Sequence, residues 1–78
     1  MKTMTCKQLG GACHFKIQAE NFSDMAALSR KHALEMIQKG DQAHQEAMRK
    51  MKELMQSSHA MEQWMKEKEK IFNTLLED

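Results

Sequence analysis

The chain has 78 residues, with twelve Lys and Arg against eleven Asp and Glu and a net charge of +1. That length allows one domain at most, near the lower limit at which a hydrophobic core suffices by itself, so a metal, a disulfide or burial against another copy is expected to supplement it. The charges balance and both signs are interspersed along the second half, which leaves no nucleic-acid footprint, and no run of about 18 apolar residues is long enough to cross a membrane.

Residues Met1 to Cys6 lack the apolar stretch of a secretory signal, so the chain reads as soluble and cytoplasmic. In that compartment two cysteines are thiols or metal ligands in preference to a disulfide; export would reverse the order.

In chain order, residues 2–6 and 13–18 alternate in character, and Gly10-Gly11 marks a turn between them. This predicts a two-stranded β-hairpin. With symmetrical pairing, Met4 and Cys6 share a face with Cys13, Phe15 and Ile17. Two strands are marginal in water, so the hairpin must pack on a helix.

Asn21 with Asp24 three residues later resembles a capping box and predicts a helix from Phe22 or Ser23. Met25, Leu28, His32 and Met36 recur on one stripe, flanked by Ala33 and Ile37, which places His32 on the buried face. Gly40 is expected to end this helix as a left-handed cap, and Asp41 to begin the next. From Asp41 to about Gln56, the residues Ala43, Ala47, Met48, Met51, Leu54 and Met55 describe a second amphipathic helix. Ser57-Ser58 interrupts it. A third helix is expected from His59 to about Leu75, with Met61, Trp64, Met65, Ile71, Phe72 and Leu75 inward and the Glu/Lys series at 66–70 outward. The last two helices most simply form an antiparallel pair. The fold class is therefore α+β, mostly helical, in one domain: a hairpin and helix over 1–40, extended by a helical pair over 41–78.

Thr5-Cys6, Leu9-Gly10, Cys13, Phe15, the Asn21–Asp24 cap and His32 follow one another without gaps in a pattern that resembles a bacterial and archaeal family of unknown function, described as predicted small metal-binding proteins. The resemblance covers the first half of the chain. It implies a metal site carried by Cys6, Cys13 and His32. Members of that family commonly have a second histidine five residues beyond the first, where this chain has Ile37, and acidic residues around the second cysteine, where it has Ala12 and His14.

Two cysteines and one histidine suit Zn²⁺ or another thiophilic ion, because thiolate and imidazole donors satisfy a tetrahedral d¹⁰ ion. The fourth position is open to His14, Met36, water or His44. Strand alternation turns His14 away, Met36 suits Cu(I) better than zinc, and His44, like His59, is expected mainly as a solvent-facing or capping residue.

The blander interpretation is that the cysteines are small core hydrophobes and His32 a hydrogen-bonded core residue. Two further functions compete with metal binding. A methionine-rich inner surface on the second and third helices, with Trp64 as an anchor, suits self-association through those helices. Cys6 or Cys13 with a lowered pKa would suit a thiol redox protein. No acid–base pair or nucleophile triad stands out, and Gly10-Gly11 lacks the strand–helix context of a phosphate loop, so no enzyme is expected.

Overall fold

In the computed structural model, which describes residues 1–78, the chain runs β1 (Lys2–Thr5), a 3-10 turn (Lys7–Leu9), β2 (Lys16–Ala19), α1 (Phe22–Gln38), α2 (Gln42–Leu54) and α3 (Ser58–Thr74). This is the mostly helical α+β fold expected from the sequence, a hairpin followed by three helices. No helix is long and apolar enough to cross a membrane.

The strands pair antiparallel, with Lys2 opposite Ala19 and Met4 opposite Ile17. Period-two alternation then puts Met4, Ile17 and Ala19 on the inner face, and all three are buried. The strands are shorter than the alternating stretches suggest. After Thr5 the chain turns into the 3-10 segment, yet Cys6 N–H still donates to Phe15 O and Lys7 N–H to Cys13 O, each at 2.8 Å. These two bonds cinch the base of the loop and leave Cys6 only 1% exposed. Phe15 does not share that inner face: it lies just outside β2, and its side chain is 55% exposed.

α1 starts where its cap predicts. Asn21 Oδ1 accepts from Asp24 N–H at 2.8 Å, satisfying one of the helix's orphan donors. It ends at Gly40, whose φ of +85° admits a left-handed cap, with Gly40 N–H bonded to Ile37 O and Asp41 N–H to Met36 O. That 5→2 and 6→1 pairing is a Schellman cap. The apolar stripe is covered only in part. Phe22 and Met25 are buried, whereas Leu28 is exposed, because a sheet of two short strands spans only the first turns of a 17-residue helix.

Asp41 and Ser57 cap α2 and α3, each accepting from the backbone N–H three residues on. The two helices are separate, as the paired serines predict, and among the helices α1 and α2 pack most closely. On α3, Phe72 is buried and Trp64, Met65 and Leu75 are half-buried, but Met61 and Ile71, expected inside, are exposed. Leu54 on α2 is exposed as well. The reason is the same as for Leu28: there is too little sheet to cover three helices.

The core comprises Met4, Leu9, Ile17, Ala19, Phe22, Met25 and Phe72. Phe72 closes it from α3, edge-on to Phe22 at 6.0 Å between ring centroids. Lys2 clasps the same point, its Nζ 3.1 Å from Phe72 O and 4.9 Å from the ring centre. Burying one such ring stabilises by about 1.5–3 kcal/mol.

Candidate metal centre

Four side chains from four places in the chain converge beside this core. Cys6 and Cys13 flank the glycine loop, His32 comes from the middle of α1, and His44 comes from the first turn of α2. Their donor atoms all lie within 4.8 Å of one another. His32 Nε2 is 3.2 Å from Cys13 Sγ, and His44 Nε2 is 3.6 Å from Cys6 Sγ. Bond lengths of about 2.3 Å to sulfur and 2.0 Å to nitrogen put neighbouring donors of a tetrahedron roughly 3.3–3.8 Å apart. The cluster is thus near the size that an ion of this class requires.

Local sequence explains each placement. Gly10 has a φ of +91°, which turns the loop back after the 3-10 segment. Gly11 is needed for space, since a Cβ there would collide with Cys6 Sγ and lie 3.0 Å from Cys6 O. His32 is half-buried, and the exposed Phe15 ring stacks on it at 4.4 Å with 10° between planes. Phe15 thus covers the outer face of an imidazole instead of entering the core. The His32 and His44 rings meet edge-on at 5.4 Å.

His44 is 3% exposed, which corrects its expected place as a solvent-facing or capping side chain. The cap is Asp41, and it holds the histidine too. Its Oδ2 accepts from both the backbone N–H of His44, at 2.9 Å, and the ring Nδ1, at 2.5 Å. With Nδ1 bonded to a carboxylate, Nε2 faces the sulfurs. This is the carboxylate–histidine arrangement that fixes the tautomer of metal-ligating imidazoles. The bond to His44 also holds the Asp41 carboxyl below its ordinary range.

Burial pushes the Cys6 thiol up, while the backbone N–H groups of Cys13 and Ala12 pull the other way. A raised thiol is the reverse of an activated nucleophile. Both cysteines are free thiols.

The three residues singled out from the sequence, Cys6, Cys13 and His32, are therefore brought together, and of the four candidates for the remaining place His44 joins them. His14 is exposed and takes no part. The sequence holds a further, weak signal for His44. This histidine lies on the same stripe as Ala47, Met48, Met51 and Met55, and an Asp cap three residues before it is placed to take its Nδ1.

Fold and site together define a small α+β protein with a Cys₂His₂ cluster able to hold a metal ion. No family model, curated protein or solved structure matches the chain.

Proposed function

We propose that this protein binds one thiophilic metal ion, zinc by the character of its donors, through Cys6, Cys13, His32 and His44, and that it is not an enzyme. The observation that carries this reading is the mutual approach of four soft and borderline donors from separate elements to within 4.8 Å. Two thiolates and two imidazoles would supply all four ligands of a tetrahedral ion from protein atoms alone. Closed sites of that kind are structural, whereas catalytic zinc sites keep a position for water. The core also leaves room for this reading, with seven buried residues in its apolar cluster in a chain of 78. A small domain of this kind commonly draws stability from a metal.

The test is elemental analysis of protein purified under reducing conditions, beside Cys6→Ser and His32→Ala. One zinc per chain, lost or greatly weakened in both variants, is the expected result. Metal-free wild-type protein that takes up no added Zn²⁺ would overturn the reading.

A second reading is self-association through α2 and α3, favoured by the exposure of Leu54, Met61 and Ile71 on those helices. Sedimentation of the intact chain distinguishes it, a strictly monomeric species counting against it.

A further inference from the structure

α2 is the one helix that buries no apolar side chain fully. α1 buries Phe22 and Met25, and α3 buries Phe72, but the one buried side chain of α2 is His44. Its apolar residues Ala47, Met48 and Met51 are only half-buried. An imidazole gains from burial only when its nitrogens find partners. Nδ1 has Asp41, while Nε2 has a thiol at 3.6 Å, a weak partner at a long distance. The entry to α2 is tied to α1 by backbone bonds alone, Gly40 N–H to Ile37 O and Asp41 N–H to Met36 O, with no side chain packed around Gly40.

We infer that the metal is the latch that docks α2, with Asp41 as the residue that positions the latch. The inference rests on the metal-binding reading above and extends it to regulation: occupancy of the site sets whether α2 is held or loosened. Cys6, Cys13 and His32 stand on the hairpin loop and α1, which are secured by the apolar core. A metal gathered by these three draws in His44 and, with it, the first turn of α2. Without metal, α2 opens locally while β1, β2, the start of α1 and Phe72 keep the core closed. Because one carboxylate oxygen serves both the helix cap and the imidazole, ligand geometry and the first turn of α2 form and fail together.

Amide hydrogen exchange on the intact chain, with and without one equivalent of Zn²⁺ under reducing conditions, tests the latch. Residues 42–54 should exchange about tenfold more slowly, or slower still, when zinc is present, with far smaller changes in β1 and β2. In His44→Ala, Co²⁺ absorption should still report uptake through Cys6, Cys13 and His32, more weakly, while the protection of α2 disappears. Asp41→Ser keeps a helix cap but cannot hold the ring as a carboxylate does, and should weaken zinc binding about 10–100-fold; Asp41→Glu should recover part of that loss.

Stoichiometric zinc uptake by the wild type with no change in α2 exchange overturns the latch and leaves metal binding standing. Zinc-dependent protection surviving in His44→Ala overturns it too, as does unchanged affinity in Asp41→Ser for the positioning role. Absence of any uptake overturns both readings. Should His44→Ala fail to fold, the wild-type comparison alone decides.

Discussion

Gly11 is the narrowest point of the site. A methyl group there would occupy the space of the Cys6 sulfur and crowd the Cys6 carbonyl as well. Gly11→Ala is therefore expected to destabilise the metal-free protein by about 1–3 kcal/mol, as overpacking does, and to weaken metal binding, checked by urea denaturation and by zinc competition with a chelating dye. Cys6 predicts a pH response. Its thiol is raised on folding by burial, so the protonated form is favoured in the folded state. The stability it contributes is fully present below the ordinary thiol pKa and is lost as pH rises through the raised folded value. The metal-free protein should accordingly lose stability on the alkaline side in denaturation followed against pH. With metal bound the sign reverses below neutrality, because protons compete for the sulfurs and stability falls as pH drops.

Among the elements, the caps were the most legible part of the sequence. Asn21, Gly40, Asp41 and Ser57 act as their residue types suggest, since a cap is a local event needing only a few residues of context. Asn21→Ala should cost about 1 kcal/mol, measured by thermal or denaturant unfolding. Burial was less legible, because a helical stripe says which residues share a face but not how much partner surface exists. Leu28, Met61 and Ile71 sit on such stripes and remain exposed, for want of a larger sheet. The site divides in the same way. Cys6, Cys13 and His32 stand out from chain order and spacing. His44 depended on α2 lying against α1, a tertiary fact that a one-dimensional pattern carries weakly.

Across the whole molecule, the apolar core is built by the hairpin, Leu9 of the loop, the start of α1 and Phe72, while the Cys/His cluster draws its residues from the loop, α1 and α2. Hydrophobic and ligand-based cohesion thus meet at the loop, where Leu9 enters the core between the two cysteines. A ligand present at about a thousand times its dissociation constant stabilises by about 4 kcal/mol, and in a domain of this size each kcal/mol moves the midpoint by about 4–8 °C. Zinc should therefore raise Tm by about 15–30 °C in scanning calorimetry, and a strong chelator should return it to the metal-free value.

Trp64 gives this arrangement an outward sign. It is the chain's single tryptophan, there is no tyrosine, and its indole edge and Met51 Sδ both press on Gly10 between the two cysteines. Lys68 Nζ sits 5.7 Å from the same ring. The protein's ultraviolet emission consequently arises from one chromophore resting on the thiol-bearing loop. Titrating zinc into unlabelled protein should register as a change in its colour or intensity, giving the molecule an optical gauge of its own state.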